Sequence, residues 1–321
     1  PVLPADILRK VILYADHSIG EMRRVDRTWK NLVEDEYSKL GNLPPIDEML
    51  LTQLEDKGYF VAVHLKIRKN LGFVLRDIAK RGFGFELIQS DKFVTVRQFL
   101  QLDQLLNSKS IMLSTPKRIK KVILGHLEDR VEHLEEYFSN IRCDEIYVDD
   151  HLLTEKASQA ILNLVSAWRP TKASLEIYDH DIPHQIVFLV GLAELVDVIY
   201  IEQCKDEEDE EPRYLFGDPT SDYWLDILGD MFTKRVNKIK IVHSNDKVVA
   251  NENNLKAFNA MVGMYRGRKP WLEINAFFPR LTESSFRLQT DYTVLKVMVT
   301  KKKSKKCDIS MVHRDRIGEE F

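Results

Sequence analysis

The side chains best suited to catalysis or metal binding lie in two histidine-containing segments. His126 and His133 share one charged stretch, and an Asp-His-Asp run at 179–181 precedes His184. Imidazoles and carboxylates together are common zinc ligands and general acids or bases. Neither segment has a recognised metal-ligand spacing, and no third converging ligand can be placed. Glycine-rich phosphate loops, nucleophile elbows and kinase signatures are also missing from the sequence, so we expect no catalytic residue, no metal and no cofactor.

A second chemically suggestive segment is Arg81-Gly82-Phe83-Gly84-Phe85-Glu86-Leu87-Ile88. It resembles the signature strand of RNA-recognition motifs, in which exposed aromatic rings stack on bases. Glu86 stands where that motif has a core-facing apolar residue, and Ile88 replaces a stacking aromatic. A hairpin strand with glycines at its turn is the better interpretation. RNA binding through strand 81–88 and the lysine run at 301–306 is therefore the alternative function.

The first 40 residues carry two apolar stripes at helical spacing. Pro4 suits the first position of a helix, and Asp6 complements the positive end of the helix dipole. The first stripe contains Leu3, Ile7, Leu8, Val11 and Ile12. The second contains Ile19, Met22, Val25, Trp29, Leu32 and Val33. So short a segment cannot bury both stripes by itself, so an apolar surface must meet a partner, the rest of the chain, or both.

The Leu-Pro start, the Asp-Ile-Leu that follows and the ending Val25-x-x-x-Trp29 resemble an F-box. An F-box is the helical module that attaches a substrate receptor to the Skp-type adaptor of a cullin-RING ubiquitin ligase. The run Met22-Arg23-Arg24-Val25 and the later Leu43-Pro44-x-Ile46-Asp47 are most similar to the nematode-expanded group of F-box proteins. Asp26 stands where many members carry Cys, and the first loop is about one residue short of the family pattern. The resemblance covers about the first 50 residues.

This resemblance implies a non-catalytic receptor subunit of an SCF-type ubiquitin ligase, working in the pathway that conjugates ubiquitin to proteins for degradation. The residues it places against the adaptor are Leu3, Pro4, Ile7, Leu8, Val11, Ile12, Met22, Val25 and Trp29. Some of these can instead pack against the rest of the chain. The adaptor would connect the chain to a cullin, and the remaining residues would hold a target protein. Ubiquitin transfer would then be accelerated by proximity alone.

The composition is that of a globular protein, with 321 residues that are 44% hydrophobic and 30% charged. A net charge of −3 favours neither nucleic acid nor an acidic membrane surface. Cys143, Cys204 and Cys307 are too few and too scattered for a disulfide framework, so we expect a reducing compartment, the cytoplasm or the nucleus. The longest apolar run, 186–193, is too short to cross a bilayer, and we expect no membrane partner.

Three regions follow from the pattern of the chain. Residues 1–45 form the F-box-like helical module, which the paired prolines at 44 and 45 close. Residues 46–116 form a linker, an antiparallel β meander and a helix. The meander is expected from strands at 60–67, 72–78 and 82–88, and the helix is expected at 94–106. Residues 117–321 form a substrate-recognition region.

From residue 117 short strands alternate with helices. The expected strands lie at 122–124, 145–149, 174–178, 198–202, 238–242, 271–275, 294–300 and 307–313. The expected helices lie at 130–140, 154–168, 183–196, 224–234 and 253–265. This alternation predicts parallel βα units, and its rhythm is similar to that of leucine-rich repeats, without their repeated Asn. The predicted fold class is therefore α+β / α/β: a three-helix F-box, an antiparallel meander and an irregular leucine-rich-repeat-like βα array.

Alternation within these strands predicts which side chains face the target. Apolar residues such as Leu175, Ile199 and Ile239 point inward, so their neighbours point outward. Tyrosines among charged residues are typical of binding surfaces, although a plain solvated sheet face has the same pattern. The predicted target-binding residues are Tyr147, Tyr178, Tyr200, Glu202, Lys240 and Glu273.

Overall fold

A computed structural model describes residues 4–14, 22, 24–38, 46–54, 60–68, 86–101, 117–125, 138, 141–149, 154–178, 182–204, 223–243, 252–264, 270–277, 293–301 and 306–313. The chain is a mixed α and β protein that divides into two compact units, Pro1–Ile146 and Tyr147–Phe321. Among the described helices, none is long and apolar enough to cross a membrane.

The first unit begins with two helices that contact each other, α1 (Ala5–Tyr14) and α2 (Arg27–Ser38). At the start of α1, the amides of Ile7 and Leu8 donate to the Pro4 carbonyl at 3.0 and 3.1 Å. Asp26 caps α2, because its carboxylate accepts a hydrogen bond of 2.9 Å from the Trp29 amide. The helical character predicted for this segment is confirmed, and the three-helix arrangement involves residues 15–21, which lie outside the described ranges.

The sheet of the first unit contains β1 (Ile46–Leu54), β2 (Phe60–Arg68), β3 (Glu86–Gln89), β4 (Phe93–Gln101) and β5 (Lys117–Gly125), in the order β5-β1-β2-β4-β3. β1 is parallel to β5, and the other pairings are antiparallel. The predicted strands are confirmed at 60–67, in β2, and over 86–88, the described part of 82–88, in β3; β4 lies between these two strands in the sheet. The sequence did not predict β1, and the predicted strand at 72–78 lies outside the described ranges.

The helix predicted at 94–106 is wrong over its described part, which is strand β4. Val94 and Thr95 are β-branched, and β4 pairs with β2 along its whole length and with β3 at its start. A tight turn at Ser90–Phe93 joins β3 to β4: the Ser90 amide donates to the Phe93 carbonyl at 2.9 Å, and the Phe93 amide donates to the Ser90 hydroxyl at 3.1 Å. Pairing on both edges outweighs the helical spacing of the apolar residues.

Strand β6 (Ile141–Asp149) includes the division between the units, and the second unit continues with alternating helices and strands. The helices are α3 (Glu155–Trp168), α4 (Ile182–Leu195), α5 (Tyr223–Thr233) and α6 (Glu252–Met264). The strands are β7 (Lys172–Tyr178), β8 (Val198–Cys204), β9 (Lys238–His243), β10 (Trp271–Phe277), β11 (Thr293–Lys301) and β12 (Lys306–His313). These elements confirm the predicted alternation. The predicted helix at 130–140 is described only at Phe138, which is helical.

Strands β7 to β10 are parallel and lie side by side in chain order, and the antiparallel β12 and β11 follow β10. Successive helices contact one another, α3 with α4, α4 with α5 and α5 with α6. Since parallel crossovers share one hand, strands in sequential order place all their helices on one face of the sheet. The core between the helices and the strands contains Trp168, Phe188, Phe232, Leu175, Ile199, Ile239 and Leu272, all buried.

Local signals fix the boundaries of α3. The Thr154 hydroxyl accepts a hydrogen bond of 3.1 Å from the Ala157 amide, as expected of an N-cap. Arg169 ends the helix in the left-handed conformation, with φ of 54°. The helix therefore begins and ends within a residue of the sequence prediction.

Candidate interaction surfaces

The amino-terminal helices expose apolar side chains. Ile7 is 46% exposed, Val11 is 39% exposed and Val25 is 64% exposed, whereas Leu8 and Ile12 are buried. Residues four apart lie on one side of a helix, so Ile7 and Val11 are neighbours on the outside of α1 and Leu8 and Ile12 are neighbours on its inside. We call Ile7, Val11 and Val25 the amino-terminal apolar residues.

The predicted adaptor-binding residues therefore fall into different environments. Pro4 is exposed with the amino-terminal apolar residues, and Met22 and Trp29 are half-buried. The structure assigns Leu8 and Ile12 to the chain's own core. Leu3 lies outside the described residues. The sequence analysis placed Ile7, Leu8, Val11 and Ile12 on one apolar stripe of the helix. Tertiary packing divides that stripe into a buried side, with Leu8 and Ile12, and an exposed side, with Ile7 and Val11.

Three exposed basic side chains lie near Val25 in the sequence. Arg24, Arg27 and Lys30 are exposed on and beside α2, close in sequence to Val25. On α1, Arg9 forms an ion pair of 3.4 Å with Asp6. An apolar surface with a basic rim favours a partner whose own surface is apolar and acidic.

The second unit presents the sheet face opposite its helices. We define the open face as the outward side chains of β7 to β10, together with Tyr147 and Asp149 of β6. The register places Ser174, Tyr200, Lys240 and Glu273 in one row across the strands, and Glu176, Glu202, Val242 and Asn275 in the next. These side chains are half-buried. Of the predicted target-binding residues, all but Tyr178 are brought onto this face, and the side chain of Tyr178 is not described.

Tyrosine and carboxylate side chains interact at the β6–β8 side of the open face. The Tyr147 hydroxyl donates a hydrogen bond to the Glu176 carboxylate. Burial raises the pKa of Tyr147, and the bond to Glu176 and the charges of Glu176, Asp149 and Glu202 raise it further. Burial and the charge of Glu202 likewise raise the pKa of Tyr200. Both phenols therefore stay neutral at physiological pH, in a local potential that is negative.

Basic side chains lie at the β9–β10 side of the same face. Lys240 forms an ion pair of 3.0 Å with Glu273. The Lys238 ammonium lies 4.7 Å from the centre of the Trp271 ring, a cation–π contact. The open face is therefore polarised, with carboxylates toward β6–β8 and compensated lysines toward β9–β10.

The other chemically suggestive segments lie largely outside the described residues. His126, His133 and His180 lie outside the described residues, as does the side chain of His184. Across the described residues, no group of His, Cys, Asp and Glu side chains is arranged to hold a metal ion. In the alternative RNA surface, Ile88 is 40% exposed on β3, at the outer end of the strand order, and residues 81–85 are not described.

Comparisons of the chain with family models, with curated proteins and with solved structures find no match.

Proposed function

We propose that this chain is the substrate-recognition subunit of a cullin-RING ubiquitin ligase, binding the Skp-type adaptor with its amino-terminal helices. The observation that carries the proposal is the exposure of Ile7, Val11 and Val25 on the segment that resembles an F-box. Side chains of this kind gain about 1.5–3 kcal/mol each when they are fully buried. Their exposure is consistent with a protein surface that is covered in a complex.

The second unit supports the target-binding half of the proposal. Its parallel strands follow in chain order with helices on one side only, as in a leucine-rich-repeat-like array. That arrangement leaves the open face across β7 to β10 uncovered by the described helices of the unit. Tyrosines and charged residues on it have the composition of a binding surface. In this proposal the receptor makes no bonds itself, and it holds the target near the ubiquitin carrier.

Adaptor binding is tested with single aspartate substitutions. We expect Ile7→Asp and Val25→Asp to abolish co-purification with the Skp-type adaptor, because each places a charge in the apolar contact. Both side chains are exposed, so the variants keep the wild-type circular dichroism spectrum and a stability within about 0.5 kcal/mol.

Ile88→Asp is the matched control, because Ile88 is also an exposed aliphatic side chain in the first unit, at 40%. It should leave adaptor binding unchanged. If Ile7→Asp and Val25→Asp co-purify with adaptor as wild type does, the amino-terminal helices are not the docking site and the proposed function is wrong.

A further inference from the structure

Thr28 is an exposed residue close to the proposed docking surface. It is the second residue of α2 and follows Val25, one of the amino-terminal apolar residues, by three positions. Three residues of chain span at most about 11 Å, close to the distance of about 10 Å over which charges act in 0.1 M salt. A charge added at Thr28 therefore acts on the surface that the proposed function assigns to the adaptor.

The sequence before Thr28 is rich in arginine. Arg23 and Arg24 precede Thr28 by five and four residues, and Arg27 precedes it directly. The other exposed serines and threonines within the described residues are Ser90, Thr154, Ser166, Thr171 and Thr233. None of these five follows more than one arginine within five positions. Because a guanidinium group binds a carboxylate with two hydrogen bonds, a kinase with an acidic substrate groove selects the sequence before Thr28.

The first turn of α2 is held by hydrogen bonds from one residue. The Asp26 carboxylate accepts a hydrogen bond of 2.9 Å from the Trp29 amide, and the Asp26 carbonyl accepts one of 3.0 Å from the Lys30 amide. Helix ends open more readily than helix interiors, because fewer contacts break. Protein kinases bind their substrates as extended segments, and the position of Thr28 at the start of a helix suits this local opening.

We propose that Thr28 is a phosphorylation site for an arginine-directed protein kinase, and that its phosphorylation releases the chain from the adaptor. The Thr28 hydroxyl oxygen bonds to the γ-phosphorus of ATP, and the bond from this phosphorus to the β–γ bridging oxygen breaks. ADP leaves, and the hydroxyl proton passes to a base of the kinase. Release from the adaptor rests on the proposed function, whereas modification of Thr28 does not.

A phosphate at Thr28 changes the charge of the surface beside Val25. Residues 24–30 contain three basic side chains, Arg24, Arg27 and Lys30, and one acidic side chain. The phosphate adds a charge of about −1.5 to −2, which cancels the local excess of positive charge. An acidic partner is then no longer attracted, and an apolar contact around Val25 would have to enclose a strongly hydrated dianion. The fold tolerates this charge, because the positive end of the α2 dipole lies in the same turn.

Modification is tested by incubating the full chain with ATP and an arginine-directed serine/threonine kinase, with mass spectrometry to locate the phosphate. We expect phosphate at Thr28 and none at Ser166, an exposed serine on α3 with no basic residue in the five positions before it. No phosphate at Thr28, or equal phosphorylation of Ser166, would overturn the inference.

The role of the arginines is measured with two double variants. Arg24→Gln/Arg27→Gln should slow phosphorylation of Thr28 by at least about tenfold, through the loss of charge-assisted contacts with the kinase. Lys10→Gln/Lys92→Gln is the matched control, because it removes two exposed positive charges that are distant in sequence from Thr28. Its rate should stay within about twofold of wild type. Equal rates in the two double variants would contradict recognition through arginine.

The effect on docking is measured by isothermal titration calorimetry of the phosphorylated chain with the Skp-type adaptor. Phosphorylation should weaken the affinity by at least about tenfold, with an unchanged circular dichroism spectrum. Thr28→Val keeps the branched shape of threonine without its hydroxyl, so after the same kinase treatment it should bind as unmodified wild type does. An equal loss of affinity in treated Thr28→Val would overturn the inference.

Unmodified wild type separates this inference from the proposed function. If the unmodified chain does not bind the adaptor, the proposed function and release by phosphorylation are both wrong, whereas phosphate at Thr28 in the same sample would still support the modification site. If the unmodified chain binds and phosphorylation of Thr28 leaves the affinity unchanged, release is wrong and the proposed function stands.

Discussion

Ile7 and Leu8 are adjacent in the sequence and have opposite environments. Ile7 is 46% exposed and Leu8 is 7% exposed. A charge introduced at Ile7 lies in solvent, whereas a charge introduced at Leu8 would lie in the core. Substitution of Ile7 therefore tests binding, and substitution of Leu8 tests folding. Leu8→Asp should unfold the amino-terminal helices, since an uncompensated charge in an apolar site is severely unfavourable. Loss of adaptor binding in that variant would carry no information about docking.

Cys143 gives a pH-dependent prediction at the same scale. Burial, and then the charge of Asp144, raises the pKa of the thiol from 9.0 to about 12. Above pH 9 the unfolded chain loses this proton and the folded chain keeps it, so the free energy of unfolding falls as pH rises toward 12. The contribution of this group to stability is fully present below pH 9. Above pH 9 the free energy of unfolding falls by at most about 1.4 kcal/mol per pH unit because of this group.

Urea unfolding at pH 8 and pH 10 measures this effect. Wild type should lose more stability between the two pH values than Cys143→Ala, which has no thiol to ionise. Lysine and tyrosine titration affects both proteins equally, so the difference isolates Cys143. Equal losses would show that the thiol is not shielded in the folded state.

At the scale of elements, the contact of α3 with α4 depends on Gly191. A Cβ built at this position would lie 2.7 Å from Leu162 Cδ1 and 3.1 Å from Leu162 Cδ2. Alanine in a helix interior is better than glycine by about 1 kcal/mol, and the clash opposes that gain. We expect Gly191→Ala to be stabilising by about 1 kcal/mol only in a Leu162→Ala background, where the clashing atoms are gone.

A double-mutant cycle by urea unfolding checks this coupling. The four proteins compared are wild type, the two single variants and the double variant. The double variant should be more stable than the sum of the single effects predicts, by at least about 0.5 kcal/mol. Leu162 is only half-buried, so its side chain has room to move in response. Strict additivity would mean that the two helices adjust without strain.

Strand β4 shows why the local sequence can predict the wrong type of secondary structure. The spacing of Val96, Phe99 and Leu100 suits a helix, and the same segment alternates well enough for a strand. Its backbone hydrogen bonds go to β2 on one edge and β3 on the other. The β2 partners are up to 41 residues away in register, as between Phe60 and Gln101, and no local window contains them.

At the scale of the whole molecule, the charge distribution argues against nucleic acid. The chain carries a net charge of −3, and the carboxylates of the open face repel phosphates. We expect no salt-dependent affinity for single-stranded RNA. Fluorescence anisotropy with labelled RNA between about 50 and 200 mM salt checks this, a range over which phosphate contacts weaken strongly. Affinity that falls with salt and vanishes in a Phe83→Ala/Phe85→Ala variant would favour the alternative function.

Much of the candidate target surface was readable from the sequence. Strand alternation placed Tyr147, Tyr200 and Glu202 on one face, because successive side chains of a strand point to opposite sides. The residues that neighbour them on adjacent strands could not be predicted from the sequence. The bond between Tyr147 and Glu176 and the pairing of Glu176 with Glu202 depend on register between strands that are distant in the chain.

By itself, the sequence determined the alternation of helices and strands in the second unit and the helical start of the first, since side-chain periodicity, caps and turns act within a few residues. Only the tertiary structure decided which side of α1 is buried, that 93–101 is a strand, and where the open face is acidic. Burial, strand pairing and local potential each depend on partners that folding brings together from distant parts of the chain.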